Sequence, residues 1–434
     1  MKNSEYIKIT KVKASKNKLK VELTLSKNIK KYFFKNNFEV CYDKNIENID
    51  ESILSIPAVC PTVQIAWATG ADLYVEKLDR TCFFFLRKIR KVFEDYYPKF
   101  LHSGDIHIKK IIPNEYSNKQ SALLFSGGLD SRVSHIRNKD QNPILFSILK
   151  EEFSGKMGKK QNQVKNILKK FANQNGNEIH FIKSDLIDRR SNTINSRLLE
   201  QNLEIKNWWA DVSHGLILLS LVAPLTVEKI GKVIMASTYE KNYKIEAGSH
   251  FLAKNDFSWA DIKVIYDGSD LSKQEKIRVF KQNPSYHKYL QVCIQPNLRS
   301  DQMNCGFCEK CLRTITGLIL EGIDPNRCNF ETKDNVLEEV KDFFIPGKFY
   351  AQHHYFWQDI QAHIPDSINE DDISKKYGAY QFFTWLRDFD YEHIPEGIQF
   401  VNNLKFLYYC LKYHGIDVTS KVMRDYVLKK VRNK

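Results

Sequence analysis

The chain has 434 residues, 42% of them hydrophobic and 12% aromatic, too many for one ordinary core and too apolar for a disordered chain, so two or three packed units are expected. No apolar run reaches the ~20 residues of a membrane span and the opening Met1-Lys2-Asn3-Ser4-Glu5 leads into no signal-peptide segment, which argues against a membrane partner and predicts a cytoplasmic protein. Lys and Arg outnumber Asp and Glu by 66 to 52, a net charge of +14 that suits a polyanionic partner such as nucleic acid; the lysines are thinly spread, however, and a solvated surface explains them more simply.

From Tyr6 to about Tyr42, apolar residues (Ile7, Ile9, Val12, then Leu19, Val21, Leu23, Leu25) alternate with lysines and polar residues. This period of two predicts an antiparallel hairpin or meander. Residues 54–70 are apolar but interrupted by Pro57 and Pro61, and read as short pieces. A helix is predicted from about Leu78 to Tyr97, with Cys82, Phe85, Leu86, Ile89 and Phe93 on one face and Pro98 as its stop. Residues 1–118 are therefore expected to form a small α+β domain without a catalytic constellation.

Strand and helix then alternate, the pattern of a parallel sheet covered on both faces. The apolar run Ala122-Leu123-Leu124-Phe125 reads as a buried strand, followed by Ser126-Gly127-Gly128-Leu129-Asp130-Ser131 and a helix. Two adjacent glycines let main-chain N–H groups approach a ligand, Ser126 and Ser131 add hydroxyls, and the helix start adds the positive end of its dipole. All of these favour an anion. Asp130 is the exception, and a carboxylate beside phosphates makes sense with magnesium between them. Further strands are predicted at 143–149, 179–182 and 233–236, with helices at 158–173 and, apolar nearly all round, at 212–227. By the switch-point rule a ligand crevice lies at the carboxyl ends of these strands, which groups the loop with Ser147 to Lys150 and Ser237 to Tyr243.

Lys273 and Lys276, on a helix after the Asp267-Gly268 turn, are three apart and share a face, so one could reach a phosphate. His214 opens the apolar helix and His250 follows a Gly-Ser turn; both are candidate substrate contacts or general bases. Tyr239, Tyr243 and Trp259 could wall a purine-like ring. Cys293, Cys305, Cys308 and Cys311 are separated by eleven, two and two residues. A Cys-x-x-Cys turn with a further Cys on the following helix brings sulfurs to one point, and four thiolates suit structural zinc, while iron–sulfur is the alternative. Cys328 could replace one member. Beyond about Phe330 the chain is helical and aromatic (Phe343, Phe344, Tyr355, Phe356, Trp357, Phe382, Phe383, Trp385), which predicts an appended helical domain at 331–434 with an aromatic core.

Ser-Gly-Gly-x-Asp-Ser after a buried strand resembles the pyrophosphate (PP) loop of the ATP pyrophosphatase superfamily. With the distal cysteines, Gly317, Glu321-Gly322-Ile323-Asp324-Pro325 and Leu271-Ser272-Lys273-Gln274-Glu275-Lys276-Ile277, residues 119–330 resemble the 7-cyano-7-deazaguanine synthase family (QueC), and the enlarged members of anti-phage defence operons in particular. The resemblance implies a Rossmann-like α/β core of the adenine nucleotide alpha hydrolase type, with ATP, magnesium and zinc. It also implies adenylation of a small-molecule carboxylate, such as that of a deazaguanine, which passes to ammonia or to an amine, including one on a partner protein from the same operon. The match is not complete. Ser213-His214 stands where the family has Arg-Asn, the family's Tyr-Pro-Asp-Cys-Arg string is replaced by residues 242–250, and Arg313 is displaced by one position. A tRNA-modifying relative and a nucleotide-binding subunit without turnover are the competing readings.

Overall fold

The computed structural model describes residues 5–33, 35–116, 119–150, 156–187, 194, 197, 208–227, 229–240, 256–293, 303–344, 354–368 and 371–391. The chain forms two compact units, Met1–Cys305 and Gly306–Lys434.

In the first unit the elements run β1 Tyr6–Ser15, β2 Lys18–Leu25, β3 Asn37–Tyr42, α1 Glu51–Leu54, α2 Ile56–Thr69, β4 Asp72–Asp79, α3 Arg80–Tyr96 and β5 Ile106–Ile112. Then follow β6 Gln120–Leu124, α4 Leu129–Asn138, β7 Ile144–Lys150, α5 Lys156–Asn175, β8 Ile179–Ser184, α6 His214–Thr226, β9 Ile230–Ala236, β10 Ser258–Trp259, β11 Ile262–Asp267 and α7 Lys273–Lys281. The eleven strands among the described residues belong to one sheet in the order β10-β11-β9-β6-β7-β8-β3-β2-β1-β4-β5.

The stretch β11-β9-β6-β7-β8 is parallel throughout. Its first strand in the chain, β6, is central; the chain winds outward through β7 and β8, then crosses over to β9 and β11. This is doubly wound α/β topology, consistent with a Rossmann-like core, and its switch point lies between β6 and β9. Pleating sends neighbouring residues to opposite faces. Ala122, Phe146, Ile182 and Val233 pack in one core with α2 and α6, while Leu123, Leu145, Phe181 and Ile234 are buried outside that core.

The first 118 residues do not close into a domain of their own. The meander β1–β2–β3 forms as its alternation predicts, but β3 then pairs antiparallel with β8, Val40 opposite Ser184. Ile7, Val21 and Val40 share the core of Phe146 and Val233. Residues 56–69 are one helix rather than pieces. Pro57 lies in its first turn, where no N–H partner is needed, and Pro61 is tolerated one turn later in a helix buried along its whole length. Gly70 ends it at φ 70°. β4, β5 and β11 have no counterpart among the predicted elements.

Trp208–Thr226, a π-helical turn leading into α6, is long and apolar enough to cross a membrane, and 67% of it is buried inside the fold. Its apolar surface is taken up by the core, largely against α2.

The second unit holds α8 Glu309–Leu320, α9 Val336–Phe343, α10 His354–Ala362, α11 Asp372–Tyr377 and α12 Ala379–Arg387. Its aromatic residues form a core, with Phe344 meeting the rings of Trp357 at 4.7 Å and Phe389 at 4.9 Å. The unit begins at Gly306, ahead of the expected start at 331, because α8 packs with α9, α10 and α11.

Candidate functional site

The loop between β6 and α4 opens at the switch point. Gly127 has φ +78°, and a Cβ there would lie 2.8 Å from Leu168 Cδ2, so the position requires glycine. Gly128 caps α4 in an extended conformation. Ser126 Oγ and Ser131 Oγ are 3.3 Å apart, Ser126 Oγ lies 3.4 Å from the Gly128 nitrogen, and Ser131 Oγ donates to Gly128 O at 3.1 Å. Leu129 and Ser131 are buried, so Leu129 can offer a ligand only its main chain. Ser147, also buried, follows Phe146 on β7, whose carbonyl accepts from Phe125 N at 2.8 Å; this sets Ser147 level with the start of the loop.

The helix carrying the two predicted lysines is firmly placed. Arg137 on α4 bridges Asp267 at 3.1 Å and Asp270 at 2.9 Å, bracketing the turn ahead of α7. A capping box then starts α7, with Ser272 Oγ accepting from Glu275 N at 3.3 Å and Glu275 Oε2 accepting from Ser272 N at 2.7 Å. Lys273 and Lys276 both reach the same oxygen, Asp130 Oδ1, at 2.5 and 3.4 Å. Lys276, only 1% exposed, also donates to Ser237 O just beyond β9 at 2.6 Å. Two ammonium groups thus converge on one carboxylate oxygen beside two helix N-termini, so an anion in the loop would lie close to both.

The remaining candidates divide. Tyr239 O accepts from Ser237 Oγ at 2.7 Å, which keeps Tyr239 beside the end of β9. His214 meets Trp209 edge-on at 5.2 Å at the start of α6. Trp259 is not a ring wall: it is wholly buried, packed on Phe257, with its indole N–H donating to Thr226 Oγ1 at 3.0 Å. A two-residue strand at the sheet edge turns it into the core. Tyr243 and His250 lie outside the described residues. Arg313 stacks on Phe356 with its guanidinium carbon 3.7 Å from the ring centre and pairs with Glu309 at 3.0 Å, contacts that belong to the core of the second unit.

The sulfurs of Cys293, Cys305, Cys308 and Cys311 all lie within 4.8 Å of one another. Tetrahedral zinc at ~2.3 Å from each sulfur puts sulfurs ~3.8 Å apart, so the set fits zinc with no position left for water. Gly306 at φ +76° makes the tight turn between the second and third ligands, and Cys308 caps α8. Cys328 is not part of the group; burial pushes its thiol up to about 12.

Two residues absent from the candidates hold this region together. Arg132 is fully buried, lies over the rings of Phe171 and Phe125 at 4.6 and 5.4 Å, and donates from Nε to Gly127 O at 2.9 Å. Burial lowers its pKa to about 9. It occupies the apolar stripe of α4 with Leu129, Val133 and Ile136, a misplaced charge that periodicity exposes. Asn304, also buried, bonds three main-chain groups of residues 290–293; its position before Cys305 carries no such signal. No family model matches the chain, and no curated protein sequence matches it.

Proposed function

We propose that the chain is an ATP-dependent enzyme of the PP-loop class, resembling the 7-cyano-7-deazaguanine synthases, that activates a carboxylate as its adenylate. The observation that carries this reading is the convergence of Lys273 and Lys276 on Asp130 at the mouth of a Ser-Gly-Gly-x-Asp-Ser loop at a topological switch point. ATP, when bound, supplies an electrophilic α-phosphorus and a pyrophosphate leaving group. Ser126, Ser131 and the N–H groups of Gly127 and Gly128 would hold phosphate oxygens, and the two ammonium groups would offset charge on the departing pyrophosphate. Asp130 is the residue to hold magnesium. A carboxylate oxygen of the substrate would bond to the α-phosphorus as pyrophosphate leaves; an amine nitrogen would then bond to the acyl carbon, the bond from that carbon to the AMP oxygen breaking and the nitrogen releasing a proton to solvent.

A deazaguanine carboxylate is the substrate the resemblance favours, and a partner protein is the acceptor we propose beyond ammonia. About half of the chain, residues 1–118 and 331–434, lies outside the stretch that resembles the family, and holding a protein amine over the crevice would make attack effectively intramolecular. The four cysteines would hold one zinc ion as a closed structural site.

The test is to incubate the protein with ATP, magnesium and a panel of deazapurine carboxylates and identify the nucleotide products. AMP and pyrophosphate are expected, and ADP with phosphate overturns the reading. Products of neighbouring genes added with labelled carboxylate should carry the label on protein; label on small molecules alone, with fast turnover, leaves a plain synthase. Metal analysis should return about one zinc per chain.

A further inference from the structure

Between the 126–131 loop and the cysteine cluster runs a five-residue segment, 289–293, whose main chain is held from two sides. On the loop side, Gln291 N donates to Gly127 O at 3.1 Å, the same carbonyl that accepts from Arg132 Nε, and another guanidinium nitrogen of Arg132 donates to Tyr289 O. On the other side, Asn304 Nδ2 donates to Leu290 O at 3.0 Å, while Asn304 Oδ1 accepts from Val292 N at 2.9 Å and Cys293 N at 3.2 Å. Residues 289 and 291 are thus tied to the loop, and residues 290, 292 and 293 to Asn304, which precedes the ligand Cys305. Both tying side chains are buried, Arg132 at 0% and Asn304 at 1% exposure.

The consequence for the loop follows from peptide geometry. The 127–128 peptide is trans, so a carbonyl drawn toward Arg132 and Gln291 turns the Gly128 N–H the opposite way, toward the side of Ser126 Oγ. One of the two donors on that carbonyl is charged, and the pull polarises the peptide and strengthens its N–H as a donor to an anion. Arg132 Nη2 lies 3.4 Å from where a Cβ on Gly127 would stand, so the guanidinium gains from any negative charge that arrives above Gly127.

We propose that segment 289–293 is a splint, with Arg132 and Asn304 as positioning residues, through which metal in the cysteine cluster and a pyrophosphate-type anion on the loop strengthen each other's binding. The inference rests on the reading of the loop as a phosphate site and of the cluster as a zinc site. Coupling of this kind is reciprocal, so either ligand reports on the other.

The experiment uses the full, zinc-loaded chain and follows zinc release to a chromophoric chelator with and without inorganic pyrophosphate and magnesium, alongside calorimetric binding of pyrophosphate. Pyrophosphate should slow release about five-fold or more, the lower end of ordinary coupling; its own affinity for zinc works against that sign. In Asn304→Ala the ratio should fall to near one while pyrophosphate still binds. If that variant does not fold, Arg132→Lys, which keeps the charge but not the two-carbonyl bridge, should lower the same ratio. Wild-type protein that binds pyrophosphate yet releases zinc at an unchanged rate overturns the splint and leaves the loop reading intact. A chain that binds no pyrophosphate overturns both, and one that carries no metal overturns the splint.

Discussion

Two strand-to-helix junctions of the same sheet, β4–α3 and β6–α4, each place an aspartate where strand gives way to helix, and they use it in opposite ways. Asp79 is fully buried and meets neutral donors: Cys82 N at 2.8 Å and Ala260 N at 2.9 Å on Oδ1, and Asn114 Nδ2 at 3.0 Å on Oδ2. Those donors belong to a helix end, a turn beside the sheet edge and the chain after β5, so the carboxylate joins three pieces of main structure. Asp130 is a quarter exposed and meets two lysine ammonium groups on long stems. Donors built into the backbone make a carboxylate a structural joint, whereas donors on flexible stems can exchange it for another anion. The glycines agree with this division. The β6–α4 turn carries two, whereas the chain at β4–α3 passes directly from Asp79 to Arg80.

The largest effect should come from breaking the closed junction. Asp79→Ala leaves the buried N–H groups of Cys82 and Ala260 unpaired and removes one acceptor of Asn114 Nδ2, which keeps Ser52 Oγ at 2.9 Å; it should cost about 4 kcal/mol, roughly a thousand-fold in the folded-to-unfolded ratio, read by urea unfolding. Asp130→Asn should leave the unfolding midpoint nearly unchanged while lowering pyrophosphate release about a hundred-fold. Equal losses of stability in the two variants would erase the distinction between the junctions. Within the open junction the lysines should separate by burial. Lys276→Met should weaken pyrophosphate binding about thirty-fold and the more exposed Lys273→Met about ten-fold, because a buried charge is less screened.

The smallest effect concerns the support beneath the open junction. His135 on α4 is buried between Tyr286 Oη and Asn177 Oδ1, each at 2.8 Å, and burial holds its imidazole below the ordinary 6.5. The unfolded chain therefore binds the proton more readily, and stability present above pH 6.5 is lost as pH falls through the lower folded value. Unfolding midpoints should decline on acidification below pH 6.5, and His135→Gln should make that decline shallower.

Much of the core was legible because its signals are local. The apolar runs that became β6, β7, β8 and β9, the alternation of β1 to β3, the Ser-Gly-Gly-Leu-Asp-Ser loop and the cysteine spacing each lie within a few residues, and the cysteine sulfurs meet as that spacing implies. β4 and β11 were not legible, since Asp72, Glu76, Lys77 and Asp79 break the apolar pattern of one and six residues beside a turn make up the other. Pro61 suggested a break that burial on every side of α2 overrides.

By itself the sequence determined the chemistry on offer: an anion-favouring turn after a buried strand, two lysines on one helical face and four thiols at metal-ligand spacing. Only the tertiary structure decided which of these act together. Lys273 meets Asp130 across 143 positions of chain and Arg132 meets Tyr289 across 157, while Trp259, an equally plausible ring contact in sequence, is turned into the core. The physical reason is that a side chain's type and its neighbours along a helix or strand are local properties, whereas its partner depends on which strands become adjacent. In this chain the crossover from β8 to β9 and the pairing of β9 with both β6 and β11 set that adjacency.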